Sequence, residues 1–162
     1  MDDRNPYAAP EAKLADPAAK GGSPLKAIVL GSLTDIGGSL LSSAILLFIY
    51  GIVLGAQGMA PEEIAGLGAI SRDSWVYYLD MLIGLGFSVL GGYVCARIVR
   101  RGEYKYGAIQ AALSALLGAL AGFNPEDFGL FLSLEITSTA LVMLGVHLGA
   151  KRNAAESARA PA

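Results

Sequence analysis

Apolar positions along this chain gather in four nearly unbroken blocks, at about 27–55, 75–98, 106–123 and 128–150, with short polar stretches between them. A helix needs roughly 20 apolar residues to cross a hydrocarbon core about 30 Å thick, and each block is close to that length. The pattern therefore predicts an all-α polytopic membrane bundle of four transmembrane helices, forming one domain over 25–150. Residues 1–24, MDDRNPYAAPEAKLADPAAKGGSP, hold four prolines and too little apolar surface to fold alone, so they read as a disordered polar tail. The segment AQGMAPEEIAGLGAISRDS joins the first two spans. Its Pro61-Glu62-Glu63 opening suits a helix start, and Ile64, Leu67 and Ile70 could lie flat on the membrane surface. Asn124-Pro125-Glu126-Asp127 reads as a tight turn between the last two spans, and residues 151–162 as a second polar tail.

Composition agrees with that picture. Of 162 residues, 54% are hydrophobic and only 16% charged, whereas soluble domains carry about 25% charged residues. Eleven of the twelve Lys and Arg fall in the N-terminal tail, the 97–105 loop or the end of the chain, leaving Arg72 alone on the other side. By the positive-inside rule both termini are cytoplasmic. Trp75, Tyr77 and Tyr78 then belong to the outer headgroup level, and Tyr104 and Tyr106 to the inner one. A net charge of -2 gives no footprint for nucleic acid. One cysteine, Cys95, and one histidine, His147, are too few for a disulfide or a zinc cluster, and no cofactor or metal is expected.

The tail NPYAAPEAKLAD resembles the NPYxAP-type tail that precedes the first span in many small bacterial inner-membrane proteins. TDIGGSLLSS and GGYVCARIVRRGEYKYGAIQAAL are similar to stretches of four-span bacterial membrane proteins without an assigned activity. The resemblance covers about a third of the chain. It implies a location, the bacterial cytoplasmic (inner) membrane, and nothing about chemistry.

Four polar residues inside or beside the spans are the candidate intramembrane site: Asp35, Asp80, Glu135 and His147. Asp35 lies nine residues beyond Lys26, and 36–55 can span without it, so it either sits at the headgroup level or faces the bundle with Ser39 and Ser43. Asp80 and Glu135 come at similar depth. If both face inward one must hold a proton; otherwise Asp80 reaches water and Glu135 bonds Ser138 or Thr139. His147 belongs near the inner surface, with pairing to Asp35 as the alternative.

Small residues recur every four positions: Gly84, Ser88, Gly92 and Ala96; then Ser114, Gly118 and Gly122; then Gly145 and Gly149. Such stripes let helix backbones approach closely, and the first is long enough to suggest a homo-oligomer or another membrane-protein partner within the lipid bilayer. The ends of the second and fourth spans, LGGYVCAR and LGVHLGAK, hint at duplication of a helical hairpin. No Walker, HExxH or dinucleotide motif is present, and Gly86-Phe87-Ser88 lacks the GxSxG spacing, so no catalytic residue is expected. Two functions remain: a structural or accessory membrane protein working through helix contacts, or a small proton- or ion-coupled transporter or channel subunit using its carboxylates.

Overall fold

In the computed structural model the described residues are 21–66, 74–122 and 125–159. They form helices and turns only: α1 (Pro24–Ala56), α2 (Pro61–Gly66), α3 (Trp75–Val99), α4 (Glu103–Gly122) and α5 (Phe128–Arg159), with a 3-10 turn at Pro125–Asp127. By length and apolarity α1, α3 and α5 can each cross a membrane. Helix α4, 20 residues long, is diluted by Lys105, Gln110 and a run of alanines.

Local chemistry sets the helix ends. Ser23 accepts from the Lys26 amide at 3.4 Å, and Pro24 follows at the first turn, where its missing N–H costs nothing. Before α2, Glu63 reaches back to the Ala60 amide at 3.3 Å, half of a capping box. Ser74 caps α3 through the Val76 amide at 3.2 Å. That helix stops at Arg100 and Gly102, both in the left-handed region (φ 54° and 61°), a conformation a helix cannot continue.

Helix α1 begins at residue 24 rather than 27, because Gly21–Ser23 are held in place. The Gly22 amide bonds the Ile98 carbonyl at 3.1 Å, and a Cβ on Gly22 would collide with that oxygen. Gly21–Ser23, at the end of the polar tail, therefore lie against α3; residues 1–20 lie outside the described residues. Within α1, Leu33–Gly37 forms a π turn, one residue wider than an α turn. At the other end of the chain α5 runs nine residues past the apolar block, to Arg159.

Contacts along the helices give their directions. Going up α3, Val89 meets Gly145, Tyr93 and Ala96 meet Gly149, and Arg97 meets Asn153, so α3 and α5 run parallel. Helix α1 is antiparallel to α3, from Gly22–Ile98 to Ser43–Asp80. Helix α4 is antiparallel to α5, from Glu103–Asn153 past Tyr104–His147 to Gly118–Glu135. The α3–α5 crossing is the tightest: a Cβ on Gly92 would strike the Val142 carbonyl, and one on Gly145 the Val89 carbonyl. In the small-residue stripe of α3, Gly92 and Ala96 therefore pack on α5, Ser88 bonds both α5 and α1, and Gly84 faces Ser39 of α1. Gly107 receives Val146 in the same way, whereas the surroundings of Gly122 lie outside the described residues.

Two small cores lie at the basic end, Ala27 with Cys95 and Val99, and Ala96 with Ala111, Val142 and Val146. Outward, large apolar side chains stand bare: Phe48 is 71% exposed and Leu120 76%. In water so many would form an untenable patch, so lipid is the solvent they fit. Ile64 of α2 rests near Gly51 and Gly55 of α1; Leu67 and Ile70 lie outside the described residues.

Candidate functional site

Where the π turn widens α1, Asp35 points into the bundle and is 5% exposed. It sits against Gly91 of α3: a Cβ there would fall 2.7 Å from Cβ of Asp35 and equally near the Gly31 carbonyl. Only glycine lets a carboxylate and a backbone approach so closely. π turns occur often at functional positions, since they aim a side chain where an α turn would not. Asp35 therefore faces the bundle.

Hydroxyls build the site around it. Ser88 donates to Oδ1 of Asp35 at 2.9 Å, and the Ser88 and Ser138 oxygens are 3.0 Å apart. A hydroxyl has one proton, so with Ser88 donating to the carboxylate, Ser138 donates to Ser88. Helices α5, α3 and α1 are thereby linked in one polar chain. Ser39 donates to the Asp35 backbone carbonyl at 2.6 Å, occupying a group the wide turn disturbs. Oδ2 of Asp35 is buried and has no hydrogen-bond partner.

Beside these groups opens a cleft of about 570 Å³, with a wall from each long helix. Asp35 and Glu135 both line it, together with Ser39, Ser88, Ser114 and Ser138. Glu135 reaches it because Gly118 of α4 leaves room: a Cβ at 118 would lie 2.5 Å from Oε1 of Glu135. The other walls are apolar, among them Leu40, Met81, Leu117 and Leu134. Leu40 and Leu117 are also 67% and 41% exposed, so the cleft reaches the outer surface of α1 and α4. It exists because α1 beyond the π turn packs mainly on α3, leaving a gap toward α4 and α5.

The four sequence candidates do not converge. Asp35 and Glu135 share the cleft. Asp80 does not line it; half-buried, it accepts from Ser43 of α1 through Oδ1 at 2.6 Å. His147 is exposed, and its Nδ1 lies 2.8 Å from the Tyr104 hydroxyl near the basic end, so it does not pair with Asp35. Beneath the cleft sits a residue the sequence analysis passed over. Gln110 is completely buried, wedged beside Gly31 and Gly91, and neither its Oε1 nor its Nε2 has a partner. Its signal was available: Gln110 continues the four-residue spacing of Ser114 and Gly118 back toward the basic end. Oγ of Ser32 and of Ser114 are likewise buried and unpartnered.

Polar groups left without partners in an apolar bundle cost about 1–3 kcal/mol each, and more for a charge. Buried polar groups are ordinarily hydrogen-bonded, so the concentration of unpartnered ones here makes this region the candidate site. Among the described residues no group of three His, Cys, Asp or Glu could hold a metal ion. No family model, curated protein or solved structure matches the chain.

At the basic end a second, surface-facing cluster ties the helices together. Arg97 donates to Asn153 at 2.7 Å and pairs with Glu156 at 2.9 Å. The Asn153 amide bonds the Ala96 carbonyl at 2.9 Å and Glu103 at 3.1 Å. Arg152 reaches Tyr93 at 2.9 Å. Every member has a partner, and this cluster reads as a clamp on the α3–α5 crossing.

Proposed function

We propose that this is a four-span protein of a bacterial inner membrane, with both termini cytoplasmic, whose two cleft carboxylates, buried Asp35 and half-buried Glu135, bind an exchangeable proton or cation and couple it to transport. The observation that carries this reading is the meeting of Asp35 and Glu135, from the first and last spans, in one cleft with Oδ2 of Asp35 unpartnered. Two carboxylates that line one largely apolar cleft are the kind of intramembrane site that a proton or a cation occupies. A site built by helices at opposite ends of the chain can also respond to a change in their separation, as a carrier needs. Helix α4 supports the four-span placement, since it runs antiparallel along α5 from the basic end to Glu135. A purely structural role finds less support, because the small-residue stripe that would serve a partner is consumed by internal packing.

Dicyclohexylcarbodiimide, which reacts with protonated carboxyls in apolar surroundings, tests the pair. Peptide mass spectrometry should place the adduct on Asp35 or Glu135, with labelling suppressed at high pH. Absence of an adduct on either residue at pH 6 would remove the proton-holding site. A reporter fused after residue 102 should report cytoplasm; an external signal there would overturn the four-span topology.

A further inference from the structure

The chemistry of the cleft says more about its occupant than that it is positive. A small inorganic cation is held by a close shell of oxygens, six or more for calcium and near-octahedral for magnesium. Here two carboxylates and a few hydroxyls line a cavity of about 570 Å³ whose remaining lining is mainly apolar: Ile36, Leu40, Met81, Leu85, Leu117 and Leu134. Ligand pockets for organic molecules have this size, about 300–1,000 Å³, and this division into apolar walls and few convergent polar groups. Leu40 and Leu117 line the cleft and are exposed on the outside of the bundle as well, on apolar helix surface of the kind that lipid covers. An occupant entering there comes from the bilayer, where an apolar body with a delocalised charge partitions and a hydrated metal ion does not.

We propose that the cleft binds a monovalent lipophilic organic cation, taken from the membrane, in exchange for the proton held by Asp35 and Glu135. The inference rests on the carboxylate site proposed above. The cation places its charge against the free Oδ2 of Asp35 and the carboxylate of Glu135, while its apolar body covers the leucine and methionine walls. Both carboxylates then ionise and one proton leaves, so charge in the cleft changes little. Few other groups bear on this titration. From α3 come Ser88, which does not titrate, and Asp80, which is engaged by Ser43. From α4 come Gln110 and Ser114, both neutral; from α5, Ser138; and Cys95 lies lower, against Gly31.

The probe is tetraphenylphosphonium, measured by equilibrium dialysis against the full-length protein in dodecylmaltoside. Tetraphenylborate, the same shape with opposite charge, is the control. Saturable phosphonium binding should weaken as pH falls, approaching tenfold per unit, and should release protons to an indicator dye. Glu135→Gln should weaken it at least tenfold, and Asp35→Asn likewise. Should either variant elute as aggregate, the wild type still decides: bound phosphonium must block carbodiimide labelling of the pair. Equal binding of tetraphenylborate, binding that ignores pH, or labelling unaffected by phosphonium each overturns the proposal. Carbodiimide labelling without any phosphonium binding overturns the organic cation while leaving the acidic site standing.

Discussion

Replacing Gly145 by alanine isolates the contact on which the whole site depends. The added Cβ falls on the Val89 carbonyl and within 2.9 Å of the Tyr93 nitrogen, all of it backbone in the facing helix. No side chain can rotate away, so α3 and α5 must separate. Gly86, in the same α3, meets nothing within 4 Å. Both changes gain about 1 kcal/mol of helix propensity. Only Gly145→Ala bears an overpacking cost, about 3 kcal/mol or more because the obstacle is rigid. The net expectation is a loss of about 2 kcal/mol, roughly a thirtyfold fall in the folded-to-unfolded ratio, against neutrality or a slight gain for Gly86→Ala. Titration from dodecylmaltoside into sodium dodecyl sulfate, followed by circular dichroism, measures the difference. Because the same crossing sets the 3.0 Å approach of Ser88 and Ser138, Gly145→Ala should also weaken phosphonium binding. Equal stability of the two variants would mean that α3 and α5 do not cross on Gly145.

Two further expectations concern other polar groups. Gln110→Leu removes two unpartnered buried atoms at similar volume, so it should stabilise the protein by about 1–2 kcal/mol in the same titration; destabilisation would show that the amide is bonded in the membrane. The Arg97 hydrogen bond holds the Glu156 carboxyl below its ordinary value of 4.5. The clamp should therefore contribute fully above pH 4.5 and be lost as pH falls through the lowered value, with exchange of the amides of 153–159 accelerating there. Glu156→Gln should remove that pH dependence, and an unchanged profile would exclude the clamp as its source.

The helices were legible in the chain because membrane insertion writes them as uninterrupted apolar length. Helix α3 begins at Trp75 and α5 at Phe128, as the blocks suggest. The extension of α5 was not legible, because its last turns are polar and held by Arg97, a partner 56 residues away from Asn153. Residue counting also put Asp80 and Glu135 at one height, but height does not fix direction. Ser43 of the antiparallel α1 takes Asp80, and the two carboxylates that do meet come from helices far apart in sequence. Gln110 escaped notice because one amide in an alanine-rich helix resembles tolerated surface polarity. Its four-residue spacing with Ser114 and Gly118 marks the face it lies on, and the packing of Gly31 and Gly91 against it shows that this face is enclosed.

The π turn at Leu33–Gly37 makes chain length itself part of the site. Ala27, Gly31, Asp35, Ser39 and Ser43 repeat every four residues, a period wider than the 3.6 of an α-helix, and the wide turn absorbs part of the mismatch. Deleting one residue there would leave hydropathy and span length almost untouched. Everything beyond it would swing by about 100°, carrying Ser39 and Ser43 off the face that meets α3. Leucine and isoleucine can trade places on the lipid side of α1 with little consequence, but a codon gained or lost at this turn rewrites every contact that follows it.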